Sequence, residues 1–208
     1  MLINNLDYRL GKHEDFSNLK NDLKELRKKI SDDHPRITNF YKCLRDKNEY
    51  KKALFDAYKN RCCYCGDSLL KIDDVQMDHI VSPEDRIIND FENIAPSCGF
   101  CNRQKSDLVK TELFARKINP CSNIFNCFER KEDFSIAIRK KYVADRDVIN
   151  FYNNLDLGNE VRRIDYIIVY LNDLCSVIIN EKIREQIKSI KNDILEKRRN
   201  ISLKSLTR

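Results

Sequence analysis

Apolar positions in the first third of the chain recur with a helical period. Phe16, Leu19, Leu23, Leu26 and Ile30 are spaced by three and four residues, which predicts one buried helix face. The segment Ser31-Asp32-Asp33-His34-Pro35 is expected to end that helix, because proline is excluded from a helix interior and restrains the residue before it. A further helix is expected from about Asn48 to Lys59, with Tyr50, Leu54, Ala57 and Tyr58 inward. Between about residues 61 and 110 the helical period gives way to short alternations such as Val75-Gln76-Met77, and returns from about Asn102. This predicts a loop, a β-hairpin and a helix. Beyond Thr111, the β-prone residues Ile124, Phe125, Phe128, Phe134, Ile136 and Ile138 flank a charged turn at Arg130–Asp133, a second hairpin ending near Val143. From Glu160 onward, Ile164, Ile167, Ile168, Leu171, Leu174 and Ile178 form a helical stripe, which Ile183, Ile187, Ile190 and Ile194 carry into the basic end. The expected class is α+β, mostly helical, in three regions. These are a helical region at 1–60, a compact core at 61–110, and a hairpin with basic helices at 111–208.

Composition narrows the setting. With no run of 18 apolar residues, no membrane span is expected. The start MLINNLDYRLGKHEDF carries charges where a secretory signal needs an apolar stretch, so the expectation is a cytoplasmic protein. The net charge of +6 is compatible with a nucleic-acid partner without requiring one, and nine Lys or Arg face four Asp or Glu within residues 181–208. Nine cysteines, an odd number, in a reducing compartment point to metal binding rather than disulfides.

Two Cys-x-x-Cys knuckles, Cys62/Cys65 and Cys98/Cys101, are separated by 32 residues. Each places two thiolates on one side of a tight turn, and a pair of them completes a tetrahedron around Zn²⁺. Four thiolates leave no open position, so the expected zinc is structural. Gly66 and Gly99 are both candidates for the positive φ angles of such turns. Cys63 is expected to point away from the metal, while Cys43, Cys121, Cys127 and Cys175 have no partner spacing and no assigned role.

Between and beside the knuckles lie Asp78-His79, then Asn93, and Asn102 directly after Cys101. Together with Cys62, Tyr64, Cys65, Gly66, Cys98, Cys101 and Lys105, this order resembles the HNH (His-Me finger) endonucleases, in their zinc-ribbon branch, over about 45 residues. The resemblance implies a ββα-metal unit. In it His79 is the general base, Asp78 and Asn102 hold a catalytic divalent metal, and Asn93 braces the loop that orients His79. Asn102 stands where many members have histidine. Two oxygen donors favour Mg²⁺ or Mn²⁺ at that position. An imidazole with an ordinary pKa near 6.5 suits a base at cellular pH. Arg103 and Lys105, on the same helix, are the candidates for contacting DNA phosphates. His13 and His34 lie outside the constellation.

The layout of the flanks, from Ile118-Asn119-Pro120 to Phe151-Tyr152-Asn153-Asn154-Leu155 and an Arg-rich helix, is similar to the HNH subunits of Septu-type bacterial anti-phage systems. That likeness implies an ATPase partner. The alternatives are a stand-alone restriction or nicking enzyme, and a non-catalytic zinc module that binds nucleic acid or protein.

Overall fold

The computed structural model describes residues 8–9, 16–69, 75–81, 91–106, 108–109, 114, 117–118 and 127–201. His13, Cys121, Ile124, Phe125 and Asn119-Pro120, singled out above, lie outside the described residues. The architecture is α+β and mostly helical, with two small antiparallel ribbons. Among the described residues no helix is long and apolar enough to cross a membrane.

Helix α1 (Leu19–Asp33) buries Leu19, Leu26 and Ile30. It continues through the acidic pair Asp32-Asp33 and stops at His34, directly before Pro35. Only the proline therefore ends it. A short helix that the periodicity does not separate, α2 (Phe40–Asp46), is capped by Asn39, whose side chain accepts from Lys42 N at 2.8 Å. Helix α3 (Asn48–Ala57) turns Tyr50, Leu54 and Ala57 inward.

The core ribbon pairs β1 (Val75–His79) with β2 (Ile94–Cys98), in register from Val75 opposite Cys98 to His79 opposite Ile94. A 3-10 turn at Phe91–Asn93 leads into β2, and α4 (Gly99–Lys105) follows β2 without a loop. The ββα order expected of the middle region is thus present, with the helix beginning at Gly99 rather than near Asn102.

The second ribbon pairs β3 (Phe128–Arg130) with β4 (Ile136–Ile138). It is shorter than its β-prone stretch. Phe134, expected in a strand, sits in the turn at φ +68°, with its ring against Tyr166 and Tyr170. Helix α5 (Arg146–Asn154) buries Val148 and Phe151 against this ribbon and the core.

The final helical stripe is broken into α6 (Glu160–Val177) and α7 (Glu181–Arg199) by the turn at residues 178–180. Asn180 caps α7, and Arg184 closes the turn by donating to the Ile178 carbonyl at 2.7 Å. Contacts Arg198–Asp165 and Lys191–Asn172 fix the two helices as an antiparallel hairpin. Because α7 packs on one side only, Ile183 and Ile190 are exposed, not inward.

Candidate active site and metal centre

The first knuckle is a closed turn. Gly66 N donates to Cys62 O, and Cys62 N donates to Asp67 O, both at 2.9 Å. Gly66 takes φ +78°, and a Cβ there would lie 2.4 Å from Arg9 Cα. Gly99 does not share this role: it is the first residue of α4, and Gly66 is the positive-φ glycine among the described residues. The second knuckle straddles the strand-to-helix junction. Cys98 ends β2 and caps α4 through its sulfur, which accepts from Cys101 N at 3.4 Å.

The four sulfurs of Cys62, Cys65, Cys98 and Cys101 are buried and lie within 4.8 Å of one another, with Cys65 Sγ and Cys98 Sγ 3.9 Å apart. A zinc tetrahedron with Zn–S bonds of about 2.3 Å has edges near 3.8 Å, so the cluster fits that ion. Cys63 is buried outside the cluster, its N–H on the Pro96 carbonyl. Cys127 donates to the Lys117 carbonyl, and Cys43 and Cys175 are half-buried.

Strand alternation sends Asp78 and His79 to opposite faces of β1. Asp78 is buried. Its Oδ2 accepts from Tyr64 Oη at 2.5 Å and faces Lys105 Nζ at 3.2 Å. Burial pushes the Asp78 carboxyl up to about 6, against the opposing pull of Lys105 and Tyr64. Burial and the neighbouring Asp78 charge push the Tyr64 phenol well above its usual range, which keeps it a donor. On α4, Asn102 Nδ2 donates to Gln76 Oε1, and Gln76 shares a strand face with Asp78. Both Asp78 contacts fall on Oδ2 and the Asn102 contact is on Nδ2, so the second oxygen of Asp78 and the amide oxygen of Asn102 are donors of the hard kind that a divalent cation takes. That donor chemistry fits Mg²⁺ or Mn²⁺.

His79, at the end of β1, is half-buried and stacks on the Tyr41 ring of α2, with centroids 4.4 Å apart and planes 22° from parallel. Tyr41 Oη also reaches the Met77 carbonyl at 3.4 Å. The main chain around His79 is clamped from both sides. Lys105 Nζ donates to His79 O at 2.6 Å and to Ile80 O at 3.2 Å. Asn93 holds Val81 reciprocally, accepting from Val81 N at 2.8 Å and donating to Val81 O at 3.2 Å, while its carbonyl accepts from Ile80 N.

Lys105 is therefore not a surface cation. Its side chain is 3% exposed and its ammonium is held by Asp78 and two carbonyls, whereas Arg103 on the same helix is exposed.

Residues 62–108 match the family model for HNH endonuclease. No curated protein and no solved structure matches the chain, and the likeness to Septu-type subunits finds no support among them. The HNH segment contains both knuckles, β1, β2 and α4. Nuclease activity, a hydrolase chemistry, is what this match points to.

The HNH segment does not assemble its site alone. Tyr41, from outside it, supplies the ring against His79; Arg162, at the start of α6, pairs with Asp67 and places Nη2 3.7 Å from Cys101 Sγ. Nothing in the local sequence marks either residue. Gln76 did carry a signal, since positions two apart on a strand share a face and Asp78 is two residues on. Tyr64 was legible as part of the knuckle, but its bond to Asp78 was not.

Proposed function

We propose that this chain is a cytoplasmic, metal-dependent DNA endonuclease, with His79 as the general base and a structural zinc on Cys62, Cys65, Cys98 and Cys101. The observation that carries this reading is the double clamp on the end of β1, by Lys105 and Asn93, inside a segment matching the HNH endonucleases. Fixing the strand end fixes the imidazole, and Tyr41 limits its rotation by stacking. A neutral His79 then takes the proton of the attacking water as the new P–O bond forms. Asp78 and Asn102 would hold Mg²⁺ or Mn²⁺, which when bound supplies positive charge for the phosphoryl oxygens. Arg103, exposed on α4, would touch a flanking phosphate, and Asn93 would act through the loop it braces.

One such site cuts one strand, so the expected product is a nick. The layout of the flanks motivates the finer proposal of a defence nuclease controlled by an ATPase, which co-purification would test. A stand-alone enzyme would nick without such a partner.

The decisive experiment is plasmid nicking by wild type and His79→Ala, with Mg²⁺ or Mn²⁺ and with EDTA. The variant should lose about 100- to 10,000-fold in rate, the usual worth of a general base, while keeping its zinc and its helical circular dichroism. Nicking retained in the variant would remove His79 from the mechanism.

A further inference from the structure

Both helices of the α6–α7 hairpin carry an apolar stripe with heptad spacing. On α6 it is Ile164, Ile167, Leu171 and Leu174, at intervals of three, four and three. On α7 it is Ile183, Ile187, Ile190 and Ile194, at intervals of four, three and four. Of these side chains only Ile164 is buried. Five large apolar side chains are exposed among the described residues, and four of them belong to this hairpin: Val177, Ile179, Ile183 and Ile190, between 46% and 93% exposed.

The geometry of the hairpin puts both stripes on one side. The edges along which the helices meet are marked by Arg198 on Asp165 and Lys191 on Asn172. On each helix these positions are seven apart, which is two turns of a single edge. Each stripe is turned from its edge in the same sense along its own helix, so reversing one helix brings both stripes to the same side of the pair. The other side, with Ile168, Val169 and Leu195, faces the zinc knuckles across a cavity of about 500 Å³. The open apolar side points away from the knuckles.

We propose that this side docks a second copy of the chain, the two hairpins closing into a four-helix bundle. Isoleucine at both core positions of a heptad favours assemblies of three or four helices over two, and one hairpin supplies two. Helix pairs joined by a short loop are the units of which such bundles are made. Charge does not oppose docking of like on like, because Arg184, Lys188, Lys197 and Arg198 are each paired with a carboxylate inside the hairpin. Phosphate, whether of nucleic acid or of a membrane, gains nothing from isoleucines flanked by cations already matched. The extent also suits a dimer. With 19 residues in α7, the face is about 28 Å long and about 20 Å wide, of the order of the ~800 Å² per partner in a stable interface. A two-fold axis sets the same residues of both chains against each other and closes the assembly at two.

The test is the mass of the zinc-loaded full chain in reducing buffer, by light scattering after gel filtration and by sedimentation equilibrium. At tens of micromolar it should be twice the 24.7 kDa of one chain. Ile183→Lys combined with Ile190→Lys should weaken the dimer at least about 100-fold, because both charges would be buried without partners. Far-UV circular dichroism should stay the same, since both positions are exposed in the single chain. If that variant loses helix, Ile183→Gln with Ile190→Gln decides. Asn192→Lys, on the side of α7 opposite the stripe, should remain dimeric. A monomeric wild type, a dimer that survives the changes in the stripe, equal disruption by Asn192→Lys, or a mass that keeps growing with concentration overturns the proposal. No cleavage is read, so the result stands apart from the nuclease reading.

Discussion

Lys105 stands 3.2 Å from Asp78 in a setting where neither charge has water to lean on. Removing one partner of a buried pair leaves the other uncompensated, at a cost of about 3–5 kcal/mol. Lys105→Met should therefore lower the melting temperature sharply, and the double variant with Asp78→Asn should recover most of the loss. A Lys105→Met protein of wild-type stability but weakened DNA affinity would mean that the ammonium faces phosphate after all. Gly66 is the other residue with no tolerance. Alanine there must hold a positive φ and collide with the Arg9 backbone, so a loss of at least about 1–3 kcal/mol is expected by thermal melting. An unchanged melting curve would mean that the knuckle relaxes.

The four-cysteine cluster joins both ends of the ββα core. The first knuckle precedes β1, and the second is the junction of β2 with α4, so one ion held there would fasten both. Structural zinc sites contribute about 10–16 kcal/mol of binding free energy at neutral pH. A strong chelator should release about one zinc per chain, followed by elemental analysis, and abolish the cooperative melt of the core. Persistence of that melt would show the ribbon to be self-supporting. At this scale the knuckles, the ββα order and the long helices were legible, because each is written in spacing. The break at residues 178–180 was not, since isoleucines continue on both sides of it, and Asn180 alone marks the new start. Phe134 was misplaced because hydrophobicity described its burial and not its turn conformation. Lys105 was misplaced for the opposite reason: its charge suggested a surface, while its partners Asp78, His79 and Ile80 lie 25 to 27 positions earlier in sequence.

Across the whole molecule, the basic surplus is partly spent internally: Arg184, Lys188, Lys197 and Arg198 of α7 all pair with carboxylates. DNA binding should still weaken steeply with salt, through whichever cations remain for phosphate. Measured as log affinity against log salt, Arg103→Ala should make the slope shallower by about one phosphate contact, roughly 0.9. A slope unchanged by that variant would take Arg103 off the DNA path.

The stack of Tyr41 on His79 carries a consequence for how the HNH-matching segment could be reused. The ring beneath His79 comes from α2, and the guanidinium beside Cys101 from α6, so the 47-residue segment that bears the family likeness borrows parts from both flanks. Grafted onto another protein, it would bring its thiolates and its histidine but leave their supports behind. This is a machine part cast in one piece with its housing, and new specificities are better sought by altering the housing's outer face than by moving the part.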